Sequence, residues 1–262
     1  MSGKKPHQKK TKHNSTTQTV KSFTILSKPP VLSILIFGLL SLLFSLLIYE
    51  RYQLVKEANK IEAYEIANHA KDLLQETLTH SLSATKILTF FIDHNGGVNN
   101  FDSIAEQILE STKDIDALQL APGGVIQYVY PLKGNEKVIG YNVLTDPFRN
   151  KEARKAIEKK EMFFAGPFEL RQGGMGIVGR LPVYRNNKFW GFSAVVIKMA
   201  TLLKSAGIDS TGKNGYYFQL SKINPDTKAE ESFLPLIKNL SHMQSVSVNV
   251  PGGEWKDRKS VV

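Results

Sequence analysis

The sequence contains no cysteine, which excludes disulfide bonds and thiol chemistry, so the fold must rest on its apolar core. It also contains no acidic residue before Glu50, although residues 1–30 hold seven lysines. This segment provides most of the net charge of +10, because residues 31–262 carry 27 basic and 24 acidic side chains. A basic tail on a nearly neutral body argues against nucleic-acid binding. We predict a disordered, cytoplasmic basic tail over residues 1–30.

Charge is also missing from Val31–Tyr49, a predominantly apolar run of 19 residues. A helix of this length spans roughly 28 Å, close to the hydrocarbon core of a bilayer. The run is too long for a signal peptide, and no small-residue cleavage site follows it. We therefore predict a transmembrane helix over residues 31–49 and, since no second run is long enough, a single-pass protein of the inner or cell membrane. The positive-inside rule places the N-terminus in the cytoplasm and the chain from Glu50 onward in the periplasm or outside the cell.

Glycine and proline are absent from Glu50 to His94, where apolar side chains recur at helical spacing. This pattern predicts a long stalk helix over residues 50–94. Small residues at Gly38, Ser41 and Ser45 offer a contact face in the membrane helix. We expect a homodimer that forms through the stalk and transmembrane helices.

The stretch "GPFELRQGGMGIVGRLPVY" contains G-x-G-x-x-G at Gly174, Gly176 and Gly179. A dinucleotide site needs a helix after these glycines and an acidic residue about twenty positions later. Pro182 would fall in the first turn of that helix, and the next acid is Asp209. We therefore interpret the glycines as a turn between antiparallel strands, with bulges or close packing.

No other motif indicates catalysis. The six histidines show neither H-E-x-x-H nor paired-ligand spacing, so no metal site is predicted. Nothing assembles a nucleophile, a base and an oxyanion hole, and no cofactor is indicated. We predict that the chain is not an enzyme.

The remaining segments predict an α+β fold with mainly antiparallel strands, because turns rather than helical crossovers join most of them. The predicted strands are a hairpin around Pro122-Gly123-Gly124, three runs between residues 162 and 199, and two runs later in the chain. The predicted helices after the stalk are 103–112 with an Asp102 cap, 146–161 with an Asp146 cap, and a short one near residue 200.

With these elements in order, residues 117–203 resemble the CHASE family of extracytoplasmic sensory domains. The matching motifs are L-A-P-x-G-x-I, P-L-x-G-N-E-x-x-I-G-Y, A-G-P-F-x-L, Q-G-G-x-G-x-x-G-R-x-P-V-Y and F-W-G-F. The resemblance implies a long helix followed by two PAS-like units, of which the membrane-distal one binds a small ligand. It also implies a receptor whose output is a histidine kinase or a diguanylate cyclase. We assign residues 95–206 to the distal unit and residues 207–262 to a partial membrane-proximal unit.

Resemblance to the plant cytokinin receptors of this family implies three contact positions. A hormone-binding aspartate corresponds to Asn142, a leucine to Phe164 and a threonine to Gly173. These departures argue against a cytokinin, so the ligand is an unknown small molecule. Tyr128, Tyr130 and Tyr141 lie on strands that flank the 146–161 helix, and they either line the pocket or belong to the core. Arg180 either meets an anionic ligand or is a solvated residue on a strand face.

The end of the chain departs from the family pattern. Members continue past a G-G-x-W strand to a second membrane helix, whereas "PGGEWKDRKSVV" turns charged and stops. We expect an incomplete second unit and no output domain in this chain. The leading hypothesis is the ligand-sensing module of a membrane-bound signalling receptor. The alternative is a single-pass, membrane-anchored structural or assembly protein that binds an envelope partner.

Overall fold

The computed structural model describes Gly3 and residues 29–147, 149–208, 216–223, 229–232, 244–250 and 255–261. The predicted basic tail lies outside the described residues, apart from Gly3 and the two prolines at its end. The chain divides into two compact units, Met1–Ala58 and Asn59–Val262.

One continuous helix, α1 (Pro29–Thr89), covers most of the predicted membrane and stalk segments. In the first unit, the large apolar side chains from Leu32 to Tyr49 are between 48% and 74% exposed. Such exposure suits a segment whose surroundings are apolar. In the second unit, α1 buries a stripe of side chains at spacings of three and four residues: Ala63, Ala67, Ala70, Leu74 and Leu78. This stripe makes α1 a part of the hydrophobic core.

The second helix, α2 (Phe101–Ser111), begins two residues earlier than predicted. Its N-cap position is Asn100 in the left-handed conformation, with no side-chain hydrogen bond. The predicted capping role of Asp102 is therefore wrong, because this residue lies inside the first turn. Phe101, Ala105 and Ile108 bury one face of α2 in the core that α1 shares.

The central element is an antiparallel five-stranded sheet with the order β2-β1-β5-β4-β3. Its strands are β1 (Ala117–Pro122), β2 (Tyr128–Tyr130), β3 (Phe163–Glu169), β4 (Met175–Arg185) and β5 (Lys188–Lys198). The β1–β2 pairing and the three predicted runs between 162 and 199 confirm the strand predictions.

Successive side chains along each strand point to opposite faces of the sheet, and the two faces pack against different elements. On one face, Leu118, Ile177 and Val195 belong to the same buried cluster as α1 and α2. On the other face, Val178, Ala194 and Val196 form a separate cluster, and Phe192 packs with α3 (Asn150–Lys159). The sheet is therefore a single layer with helices on both sides.

Helix α3 begins four residues later than the predicted Asp146 cap. The Asp146 carboxylate accepts a hydrogen bond from the Tyr141 hydroxyl, while the Asp146 carbonyl accepts bonds from the backbone N–H groups of Arg149 and Asn150. A carboxylate held by Tyr141 does not cap the helix, and Arg149 occupies the N-cap position without a side-chain bond.

After the short helix α4 (Met199–Ser205), a second antiparallel sheet has the order β7-β6-β9-β8. Its strands are β6 (Tyr216–Ile223), β7 (Glu230–Ser232), β8 (Gln244–Val250) and β9 (Trp255–Val261). Phe218 and Leu220 of β6 join the buried cluster that contains Leu74 of α1. Strand β9 forms from the charged segment after Trp255, which the sequence did not predict as a strand.

The glycine-rich stretch forms the β3–β4 hairpin. Gly173 and Gly174 occupy positive φ values in its turn, where the backbone N–H of Leu170 donates to the carbonyl of Gly174. Gly176 and Gly179 follow on β4. The spacing therefore lies on a turn and a strand and opens no helix, which agrees with the interpretation as a sheet turn.

Candidate ligand-binding site

The site begins with one row of residues across the sheet. Gln119 on β1 and Arg180 on β4 both pair with Ala194 on β5, the strand between them. Directly paired residues point to the same face, so both polar side chains stand beside the small Ala194 side chain. Two strand spacings separate the two backbones, about 10 Å. The row leaves a gap above Ala194 between an amide and a guanidinium.

A cavity of about 20 Å³ lies in this region, enough for roughly one water molecule. Its apolar walls come from the sheet, the segments on either side of β2 and the β3–β4 hairpin: Ile126, Val138, Phe168, Leu170, Val178 and Val196. Its polar walls are Gln119, Tyr141, Arg149, Arg171, Gln172 and Arg180. The lining therefore contains three arginines and no carboxylate.

Arg180 is the electrostatic centre of this cavity. Only 5% of the residue is exposed, and its Nη1 atom has no hydrogen-bond partner among the described residues. In that part of the chain, it is the sole buried side-chain nitrogen or oxygen in this condition. Burial lowers the pKa of Arg180 to about 10, against the opposing influence of Glu152, so the side chain stays charged at neutral pH.

Tyr141 and Arg171 form one part of the cavity wall. The Arg171 guanidinium lies over the Tyr141 ring at 3.9 Å from its centroid. The Tyr141 hydroxyl donates to Asp146, and burial, followed by this hydrogen bond, raises the pKa of Tyr141. Arg149 lies over the Phe168 ring at 4.3 Å and donates to the Glu169 carbonyl. Two of the three arginines are thus held by aromatic rings.

A larger outer cleft of about 660 Å³ shares part of its wall with the cavity. Its lining is Lys137, Ile139, Gly140, Tyr141, Asn142, Thr145, Asp146, Pro147 and Arg171. Tyr141 and Arg171 belong to both the cleft and the cavity. A movement of these two side chains would therefore join the two spaces.

The structure distributes the seven predicted site residues over both faces of the sheet. Tyr141 and Arg180 line the cavity, and Asn142 lines the outer cleft, where its Oδ1 atom accepts a bond from the Leu144 N–H at 2.9 Å. Gly173 lies in the β3–β4 turn beside Gln172, and an added Cβ there would meet open space.

The other three predicted residues lie on the α1 face. Phe164 and the half-buried Tyr128 and Tyr130 belong to the core that α1 shares. The Tyr128 ring is 5.6 Å from that of Phe101, and the Tyr130 hydroxyl donates to Glu106 at 2.9 Å. One pocket cannot hold all seven residues, because strand alternation turns these three away from the cavity.

The sequence did not single out Gln119, Arg149 or Arg171. Gln119 carries the clearest signal, since it is the polar residue in the apolar run "ALQLA" of β1. Arg149 and Arg171 lie outside strands and give no periodic signal. Among the described residues, no group of three or more His, Asp or Glu side chains is placed to hold a metal ion.

The family model described as CHASE domain matches residues 58–233, more than half of the chain. The chain belongs to the CHASE domain family. The match includes the second unit of the structure from near its start and extends past β7. No curated protein matches the sequence.

Solved structures with the same fold include sensor domains of receptors. The ligand-binding domain of the Pseudomonas aeruginosa amino acid chemoreceptor PctC, in complex with GABA, has 16% identity and a TM-score of 0.55, with 78% of this chain and 99% of that chain covered. The V. cholerae histidine kinase DctB sensor domain has 13% identity and a TM-score of 0.55, and the match covers 78% of this chain and 97% of that chain. An extracellular ligand binding receptor from Desulfohalobium retbaense has 11% identity and a TM-score of 0.53, covering 76% of this chain and 39% of that one.

At these identities the structures show the fold alone, whereas the family match shows the functional class. The prediction of a ligand-sensing module of a membrane-bound receptor is confirmed at that level, and the structural or assembly alternative is not favoured. No catalytic domain is indicated in the described residues. Among those residues, the helix Pro30–Thr89 has the length and composition to cross a membrane, so this CHASE chain carries a candidate anchor.

Proposed function

We propose that this CHASE chain is the extracytoplasmic sensor of a membrane-anchored receptor and binds a small ligand between the sheet and the α3 side. The observation that carries the proposal is the cavity lined by Gln119 and Arg180, because Arg180 is charged and its Nη1 atom has no partner among the described residues. A charge buried without a partner is unfavourable, so proteins keep such groups mainly at functional sites. The family match supports a sensory role for that site.

The same single-layer sheet offers a route for the signal. Ser193 and Ala194 are neighbours on β5. Ala194 pairs with the cavity residues Gln119 and Arg180, while the Ser193 hydroxyl donates to the α1 carbonyl of Thr85 at 2.9 Å. A ligand that moves β4 and β5 would therefore act on α1 through one peptide unit. We propose that this displacement biases α1 between two states, which a receptor's output domain reads.

Ligand binding is tested with the full chain in detergent micelles and a library of small polar metabolites. The library includes GABA, L-glutamine, L-arginine and L-serine, which similar folds hold, and adenine as a neutral purine. We expect at least one compound to raise the melting temperature, and Ala194→Val to abolish that rise by narrowing the gap between Gln119 and Arg180 in the cavity wall. The control is Ala200→Val, an exposed site on α4. A folded chain that responds to no compound would contradict the proposed function.

We propose further that the N-terminus lies in the cytoplasm and the second unit outside it. Because the chain lacks cysteine, single thiols report their side of the membrane without background. A membrane-impermeant maleimide should label Lys188→Cys, an exposed position, in intact cells with a permeable outer envelope. It should label Ser2→Cys only after lysis. The reverse pattern would refute this orientation.

We propose that the receptor is a homodimer in which α1 contacts its copy. Ile61 and Tyr64 lie three residues apart on α1 and are 59% and 52% exposed, an unusual state for large apolar side chains on a helix that packs only against its own domain. Mild oxidation should cross-link Ile61→Cys in membranes, whereas Asn59→Cys, about 160° away around the helix, should remain monomeric. Equal cross-linking of both variants would contradict a specific α1 interface.

A further inference from the structure

We infer that the ligand is a small organic carboxylate whose charged group binds Arg180 in the cavity. The inference rests on the proposed function, since it names the chemistry of the molecule that the same site would bind. It starts from the unpaired Nη1 atom, which lies in an otherwise well-bonded core.

The charge around the cavity favours an anion. The cavity walls contain three guanidinium groups and no carboxylate. Asp146 and Glu152 lie close enough to act on Arg180 through space, but neither forms an ion pair with it among the described residues. The Asp146 carboxylate already accepts the Tyr141 hydroxyl. A bound anion would supply the acceptor that the protein itself does not provide.

The lining favours a carboxylate on a carbon skeleton. A planar guanidinium matches a planar carboxylate with two parallel hydrogen bonds. The cavity of about 20 Å³ must widen to admit a head group of any kind, and the aliphatic part of its lining favours the group that carries a carbon skeleton. Gln119, across the row from Arg180, adds an amide N–H donor. The aliphatic walls suit the ligand's carbon atoms, which would extend toward the outer cleft past Tyr141 and Arg171.

Strand β4 contains a second arginine that serves as a matched control. Arg185 donates from Nη1 to the Tyr184 carbonyl at 3.0 Å, and from Nη2 to the carbonyls of Thr89 and Ile92 at the end of α1. Its guanidinium is satisfied by the protein, whereas that of Arg180 is not. The same substitution at the two positions should therefore have opposite effects on stability.

The first measurement needs no ligand. Arg180→Met keeps an unbranched apolar stem, shorter than that of arginine, and removes a buried, unpaired charge, so the full chain in detergent should melt a few degrees higher than wild type. Arg185→Met removes the hydrogen bonds that the guanidinium donates to three carbonyls and should lower the melting temperature by several degrees. If Arg180→Met lowers it as Arg185→Met does, the guanidinium is structural and the inference is overturned, whether or not the chain binds a ligand.

The second measurement uses probe pairs that share a skeleton: GABA against 4-aminobutanamide, acetate against acetamide, and succinate against succinamide. We expect a carboxylate, and not its amide, to raise the melting temperature at constant ionic strength. Arg180→Met should weaken that probe by on the order of 100-fold. Inorganic phosphate should have no effect.

Equal binding of acid and amide, or full binding by Arg180→Met, would overturn the carboxylate inference and leave the proposed sensor standing. A response to phosphate alone would also overturn it, because the site would then be a simple anion site. Ala194→Val separates the failure of the proposed function from the failure of the carboxylate inference, since it should block any ligand of this cavity, charged or neutral.

Discussion

Gly191 of the F-W-G-F motif provides the sharpest test of the fold. It lies on β5 beside Pro122 of β1, with a φ of 154°. A Cβ atom at this position would lie 2.2 Å from the Ala121 carbonyl oxygen and 2.8 Å from the Pro122 Cα. Both atoms belong to the backbone, so no side-chain rotation relieves the collision. Gly191→Ala therefore requires β1 and β5 to separate locally.

The cost has three parts. Separation weakens the bond from the Gly123 N–H to the Trp190 carbonyl, now 2.8 Å, and its neighbour in the ladder, for about 1 kcal/mol each. The φ value adds about 1–2 kcal/mol for a residue with a Cβ. Loosened packing around the buried Phe192 brings the total to about 3–5 kcal/mol, a large share of a typical free energy of unfolding.

The assay is thermal unfolding of the full chain followed by circular dichroism. Gly191→Ala should lower the melting temperature by about 6–20 °C, using 2–4 °C for each kcal/mol in a domain of this size. The control is Gly134→Ala, where φ is 85° but an added Cβ meets open space, so only the conformational cost of about 1 kcal/mol remains. Equal melting temperatures for the two variants would refute the argument from backbone contact.

Three further predictions concern the core, a helix start and pH. Leu74→Ala, at a fully buried site on α1, should lower the free energy of unfolding by about 2–5 kcal/mol in urea titrations, whereas the exposed Leu54→Ala should change it by less than about 1 kcal/mol. The Asp116 carboxylate accepts hydrogen bonds from the Lys198 N–H at 2.6 Å and the Thr201 hydroxyl at 3.0 Å, at the start of α4. Asp116→Ala should therefore lower the free energy of unfolding by about 1–3 kcal/mol. Asp114→Ala is the comparison, because it leaves both bonds intact. Burial, followed by the hydrogen bond to Asp146, raises the pKa of Tyr141, so folding favours the neutral hydroxyl. The stability that this preference contributes is present below about pH 10 and is lost as the pH rises above it. Tyr141→Phe should therefore show a shallower loss of stability than wild type above pH 10, and parallel curves would contradict the assignment.

Local patterns predicted most of the fold correctly. The absence of glycine and proline after Glu50, with apolar residues at helical spacing, indicated a long helix, and α1 confirms it. Turn residues between apolar runs indicated the hairpins of the first sheet. The misplaced helix starts have one cause: Asp102 and Asp146 have good capping side chains, but one lies inside a helical turn and the other is held by Tyr141. Such competition depends on tertiary contacts, which local sequence does not contain.

The candidate site was harder to predict because it depends on which face of a strand a residue occupies. Phe164 and Phe163 are adjacent, yet Phe164 belongs to the α1 core and Phe163 packs with the cluster that includes α3. A shift of one residue in an alignment therefore moves a predicted contact to the opposite side of the sheet. Arg149 and Arg171 come to the cavity from loops 22 residues apart in sequence, and only the folded sheet brings them together.

The two faces also explain why glycine is followed by arginine in the glycine-rich segment on β4. On the α1 face, an added Cβ at Gly179 would lie 2.3 Å from Met162 Cε and 2.7 Å from Phe164 Cε1, so the core side chains occupy the space that a larger residue would need. On the cavity face, Arg180 stands beside Ala194 with its Nη1 unpaired. The two neighbouring residues on β4 therefore have different roles: Gly179 allows close packing on the α1 face, and Arg180 places a charge in the cavity wall. The glycine spacing resembles a nucleotide motif because Gly174 needs its positive φ in the turn and Gly176 and Gly179 lie where β4 packs tightly. The arginine that follows is the residue whose Nη1 atom is available to a ligand.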